Sequence, residues 1–206
     1  MSLHVLDHPL AAHIMTHLRD QTTKPATFRT LTYQISLLLA IEATNGLETE
    51  TKEIDTPLER VQGRVLNHQP LVVVSILRAG LGMVQPFTDI FPDVSVGYVG
   101  LERDHETAKA RSYYCKLPPL TGRHVFIVDP MLATGGSAVT ALTAVKAQGA
   151  VNPTLVSIVS APEGVAAVEK SHPGTVIHTA ALDRELNARK YILPGLGDFG
   201  DRLYGT

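Results

Sequence analysis

An acid, a glycine pair and two hydroxyls stand together in the segment from His124 to Leu142, HVFIVDPMLATGGSAVTAL. Asp129 closes a short apolar run, and Ala133, Thr134, Gly135, Gly136 and Ser137 follow almost at once. A turn of such small residues can fold its backbone N–H groups around an anion at a helix start, with Thr134 and Ser137 adding hydroxyl donors. A phosphate is the natural occupant. A tight strand-to-helix connection, with glycines for geometry only, is the plainer reading, but the acid at the strand end and the two hydroxyls favour the phosphate. The turn is not a P-loop, because the GxxxxGK[ST] spacing and its lysine are missing, and it is not GxGxxG.

A second candidate is Arg78, which ends the apolar run Leu71 to Leu77 and precedes Gly80 and Gly82. A cation there is a costly choice for structure alone. Its guanidinium can hold pyrophosphate oxygens through paired hydrogen bonds, and the glycines would let main-chain amides approach the same anion. Capping of a neighbouring helix is the alternative. The third stretch is YILPGLGDFGDRLYGT, from Tyr191 to Thr206. A chain end usually frays, but this one is apolar and aromatic as well as glycine-rich, so it should pack, with its backbone free to reach a planar ligand. His13 and His17 share one helix face, but Ile14 stands where HExxH needs Glu and no third ligand is evident, so they read as surface histidines.

The elements that would position these groups follow from periodicity. Val125 to Val128 and Leu71 to Leu77 read as strands buried on both faces, and Asp129 then lies at a strand's carboxyl end, where open α/β sheets place ligands. A helix from Ala138 to Gln148 follows the turn and stops at Gly149. Helices are also expected from Pro9, over 28–44, over 83–91 and over 163–171. Further strands are expected over 94–101, 154–160 and 175–182. Residues 47–66 are polar and β-leaning, residues 102–111 read as a polar loop, and residues 183–189 as irregular or a short helix. The alternation predicts a doubly wound parallel sheet.

Composition bounds the rest. The chain has 206 residues, 44% hydrophobic and 18% charged, which suits one globular domain over 1–206. A net charge of −2 gives no sign of a nucleic-acid or acidic-membrane partner. The one cysteine, Cys115, rules out an internal disulfide and fits a reducing compartment. No basic-then-apolar leader and no apolar run of spanning length is read, so the cytoplasm is expected.

The segment around Asp129 closely resembles the phosphoribosyl-pyrophosphate (PRPP) motif of type I phosphoribosyltransferases, an apolar strand, two acids and a turn that grips a 5-phosphate. Here the second acid is replaced by Pro130. The variant DPMLATGGS resembles the uracil phosphoribosyltransferases, which narrows the family and leaves Asp129 as the only acid for the ribose hydroxyls. ILRAGLGM is similar to that family's pyrophosphate loop, and the C-terminal stretch to its uracil-binding segment.

The resemblance implies an α/β fold, a type I phosphoribosyltransferase-like open parallel sheet with helices on both faces, plus a β-arm over 47–66 that packs subunits and a C-terminal base-binding hood. It implies conversion of uracil and PRPP to UMP and diphosphate, a pyrimidine-salvage step, with Mg²⁺ as cofactor. By position it implies PRPP contacts from Arg78, Arg103, Asp129, Pro130, Met131, Leu132, Ala133, Thr134, Gly135, Gly136, Ser137 and Asp198. Uracil contacts fall to Ile192, Gly197, Asp198 and Phe199, and catalytic roles to Arg78, Arg103 and Asp198. The loop over 102–111 would be a lid, GTP a possible activator, and the assembly a homodimer or higher homo-oligomer. A phosphoribosyltransferase for another base and a PRPP-sensing regulator are the rivals. The C-terminal PGLGD segment argues against a purine enzyme, and the net charge against a regulator that binds nucleic acid.

Overall fold

The computed structural model describes residues 2–67, 70–103 and 110–206. Its centre is a sheet whose main path runs β1 (Ser2–Val5), β10 (Val176–Leu182), β9 (Thr154–Ser160), β7 (His124–Val128), β4 (Leu71–Leu77), β5 (Ser95–Arg103) and β6 (Ala110–Lys116). All neighbours along this path are parallel except β5 and β6. The two-residue β8 (Met131–Leu132) pairs alongside β9.

Both faces are covered, as the continuous apolar strands require. Side chains alternate across a strand, so Val73, Phe126, Val128 and Val156 face one core with Phe28, Ile35 and Phe87. Val72, Val74, Val125, Ile127 and Leu155 face the other, with Leu142, Val145 and Val168. The first core is roofed by α1 (Pro9–Arg19), α2 (Pro25–Ala43), α3 (Val84–Ile90) and α6 (Phe199–Tyr204), and the second by α4 (Gly136–Ala147) and α5 (Pro162–Ser171). Helix α1 begins at Pro9 as expected, and the His8 ring caps it by accepting the Leu10 N–H.

Two hairpins stand apart from the sheet. β2 (Thr49–Asp55) and β3 (Arg60–Leu66) form an antiparallel arm in the region read as β-leaning. β11 (Glu185–Leu186) and β12 (Ile192–Leu193) pair within the segment expected to be irregular or helical. Other elements also differ from expectation. β1 was not anticipated, because four residues at a sheet edge carry too little periodicity to read. The polar loop expected over 102–111 is strand at both ends: β5 runs on to Arg103, and β6 begins at Ala110, held by pairing to β5 and by Tyr113 lying over Gly100, where a Cβ would come within 2.7 Å of its ring. Helix α2 starts three residues early, at Pro25, because proline is well suited to a first helical position. The C-terminal stretch closes in a short helix, α6, started by the Asp198 side chain accepting the Asp201 N–H at 3.0 Å.

Candidate functional site

β4 and β7 are adjacent and parallel, with Ser75 opposite Val128. Arg78 and Asp129 therefore leave the sheet side by side, at the carboxyl edge where such folds bind ligands. The connection after β4 turns at once into a 3₁₀ helix, Ala79–Met83, and the Leu77–Arg78 peptide is cis. A Cβ on Gly80 would meet the Val128 carbonyl oxygen at 2.6 Å, and one on Gly82 would meet Leu203 at 3.0 Å. These glycines thus admit protein neighbours, which replaces the expectation that they exist to admit an anion. Arg78 is exposed, and its carbonyl accepts the Tyr204 hydroxyl at 3.1 Å. Among the described residues its guanidinium has no hydrogen bond or ion pair, and the next residue, Ala79, lines a cleft.

After β7 the chain follows β9. The Asp129 N–H donates to the Val156 carbonyl at 3.1 Å, and the Pro130 carbonyl accepts from Ile158 and Val159 at 3.1 and 3.0 Å. Pro130 and Leu132 are buried, and Met131 and Ala133 face the cleft. The Pro130 and Leu132 side chains thus serve the core, leaving main chain as their means of reaching a ligand. Asp129 is only partly buried by surface area, but the protein packed around its carboxyl desolvates it. That desolvation pushes its pKa up from 3.8 to about 7, against a smaller opposing effect of a hydrogen bond from the Met131 backbone.

The turn that follows is shaped for an anion. Gly135 adopts φ 81 as the N-cap of α4, and neither a side-chain cap nor a first-turn acid is present. The helix starts at Gly136, two residues before the expected Ala138, so Ser137 lies in its first turn. The N–H groups of that turn have no intrahelical partner and sit at the positive end of the helix dipole. Thr134 and Gly136 are exposed and Ser137 half-buried. The turn rests on α5. A Cβ on Gly135 would lie 2.8 Å from the Ala167 Cβ, and one on Gly164 would lie 2.5 and 2.7 Å from the Ala133 and Leu132 carbonyl oxygens. Gly164 was not singled out from sequence, since a lone glycine in a helix carries no local signal of what lies over it.

A cavity of ≈ 310 Å³ joins these parts. It is lined by Ala79 of the Arg78 loop, Met131, Ala133, Ile192 and residues 197–200. Arg189, Lys190 and Tyr191 also line it. Arg189 was read only as the end of a polar segment and Lys190 was not singled out; their charge beside the glycine-rich stretch was the available signal. Phe199 is buried, edge-on to Phe28 at 5.1 Å, so it meets the cavity from its main-chain side. Arg103 ends β5, its backbone in register with Ala110. Of the segment expected to form a lid, residues 104–109 lie outside the described residues. His13 and His17 are exposed, with rings edge to face and centroids 4.6 Å apart.

A mostly parallel sheet with an acid and a glycine-containing turn at its carboxyl edge, an exposed arginine beside them and a separate C-terminal hood match the architecture of a type I phosphoribosyltransferase. The fold is shared with the hypoxanthine phosphoribosyltransferase of Trypanosoma cruzi, at TM-score 0.52 and 14% identity over 77% of this chain and 76% of that one. The family model for uracil phosphoribosyltransferase matches residues 5–206. The chain belongs to the uracil phosphoribosyltransferase family. It is 51% identical to the uracil phosphoribosyltransferase of Fervidobacterium nodosum over 99% of both chains, and 50% identical to that of Dictyoglomus turgidum over 98% of both. A solved structure of an Aquifex aeolicus protein superposes with TM-score 0.93 at 36% identity, covering 99% of this chain and 98% of that one.

Proposed function

We propose that the protein transfers the phosphoribosyl group of PRPP to uracil, giving UMP and diphosphate. The observation that carries this reading is the convergence of the Arg78 loop, the Asp129 turn and the glycine-rich hood on one cavity. The start of α4 takes the 5-phosphate and the Asp129 carboxylate accepts the ribose hydroxyls. Arg78, with Arg103, balances charge on the departing pyrophosphate. Departure leaves an oxocarbenium-like anomeric carbon, and uracil N1 attacks from the opposite face, inverting the α-linked donor to the β-nucleotide. Main chain around Ile192 and 197–199 holds the uracil edges, and Asp198 stands next to it as a candidate proton acceptor. Positioning and charge stabilisation supply the rate enhancement, with no covalent enzyme intermediate.

Among the described residues no group of three or more His, Cys, Asp or Glu could hold a metal. Asp129 is a single desolvated carboxylate, so the site fits a Mg²⁺ carried mainly by substrate and water oxygens. When bound, the ion would neutralise pyrophosphate charge. The projecting β2–β3 arm, with Ile54, Leu58 and Leu66 exposed, supports a homo-oligomer. No helix among the described residues is long and apolar enough to cross a membrane, and the exposed free Cys115 supports a reducing, cytoplasmic setting. Activation by GTP rests on the family resemblance. Equal initial rates with and without GTP at subsaturating PRPP would overturn it.

The deciding experiment is incubation with uracil, PRPP and Mg²⁺ followed by separation of UMP. Formation dependent on all three is expected, and a panel of other bases should give little product. No UMP, with turnover of another base, would overturn the substrate assignment.

Gly164→Ala is expected to raise the PRPP KM about tenfold and lower stability by roughly 1–3 kcal/mol, because its methyl would press on two main-chain carbonyls of the phosphate turn. PRPP titration and thermal unfolding check this; an unchanged KM would show that α5 does not set the turn.

A further inference from the structure

The hood is fastened to the end of α1 by an ion pair that the proposed chemistry does not use. Arg19, the last residue of α1, sets Nη1 2.8 Å from Asp183 Oδ2 and Nη2 2.6 Å from Asp183 Oδ1. The same Nη1 donates to the Gly195 carbonyl at 2.8 Å, and Asp183 Oδ2 accepts the Gly195 N–H at 2.7 Å. Both polar main-chain groups of one residue are thus taken by the two halves of one ion pair. Asp183 is buried and follows directly on β10, and its own N–H donates to the Ser160 carbonyl at 2.8 Å, so the carboxylate is anchored to the sheet. Gly195 itself adopts φ 62, and a Cβ there would collide with the Ile192 carbonyl, so the turn requires glycine. Gly197, Asp198 and Phe199 begin two residues later.

We infer that Arg19 and Asp183 are positioning residues for base recognition, fixing the main chain after Gly195 so that it meets the pyrimidine edge in register. The inference rests on the reading of Ile192 and 197–199 as the uracil contact. Recognition by main chain has no rotamer to adjust, so its accuracy depends on what anchors the backbone. Here the anchor is a charge-assisted, bidentate pair, the strongest class of side-chain hydrogen bond and the hardest to replace with lysine.

The test uses Arg19→Gln, Arg19→Lys and Asp183→Asn in the full chain, measuring uracil KM at saturating PRPP, PRPP KM at saturating uracil, and thermal unfolding. Arg19→Gln and Asp183→Asn are expected to raise uracil KM about tenfold or more while PRPP KM stays within about twofold. Arg19→Lys, which keeps the charge but not the paired geometry, should fall between. If Asp183→Asn does not fold, the two substitutions at half-buried Arg19 decide. A folded Arg19→Gln with parental uracil KM overturns the inference, as does an equal rise in both KM values. A parent protein that makes no UMP overturns the uracil reading instead, so the two failures are distinguishable.

Discussion

Replacing Arg78 by Ala is expected to lower turnover by about 10²–10³, roughly 2.7–4 kcal/mol of transition-state stabilisation. The side chain is exposed and has no described protein partner, so the parent gains nothing structural from its charge. Its contact with the rest of the fold is through its carbonyl, which accepts from Tyr204 and survives the substitution. Stability should therefore change by no more than about 0.5 kcal/mol. In the proposed reaction the charge matters when pyrophosphate leaves, because negative charge then grows on oxygens held beside the Arg78 loop. Arg78→Lys should recover only part of the loss, since an ammonium cannot make the planar paired contact. Steady-state rates with PRPP varied, alongside thermal unfolding, check both halves. Near-parental turnover in Arg78→Ala would remove Arg78 from the mechanism.

The second large effect concerns Asp129. Its carboxyl is desolvated and titrates at about 7, so the ligand-free protein is divided between the acid and the carboxylate near neutrality. In the proposed role, the carboxylate is the form that accepts from both ribose hydroxyls. The kcat/KM for PRPP reports the free enzyme, and it should fall tenfold per unit as pH drops below about 7. Asp129→Asn should lose about 10²-fold in kcat/KM and flatten that limb, hydrogen bonds to a charged acceptor contributing about 1.5–3 kcal/mol each. Stability should move the other way. Because the folded pKa is raised, the stability contributed by the neutral acid is fully present below about pH 3.8 and lost as pH rises through about 7. Asp129→Asn should therefore unfold at a higher temperature than the parent above pH 7, with the gap closing in acid. A pH-independent kcat/KM in the parent between 5.5 and 8 would refute the assigned role.

Some features were legible in sequence because they are local. A four-residue apolar run ending in Asp129, then small residues, then a helical stretch specifies strand, turn and helix through backbone preference and periodicity alone. The same holds for the strand into Arg78. The starts of α2 and α4 fell two or three residues from expectation because helix ends are set by capping and packing. The hairpin over Glu185–Leu186 and Ile192–Leu193 was missed because two-residue strands leave no period to detect.

The sequence by itself determined the parallel core, the strand–turn–helix around Asp129, the arginine at the end of β4 and the family resemblance, since each rests on residue types at short spacing. Only the tertiary structure decided what holds the site in place. Gly164 lies under the turn at Leu132 and Ala133. Arg202, over the Phe28 ring at 4.5 Å, ties α6 to the carbonyls of Leu18, Asp20 and Leu196. Arg19 and Asp183 meet across 164 residues of chain to hold Gly195. It also decided the protonation of Asp129, which depends on how much protein surrounds the carboxyl. A charged side chain carries no local mark of its distant partner, and desolvation is a property of the packed neighbourhood, so neither can be read before the chain is folded.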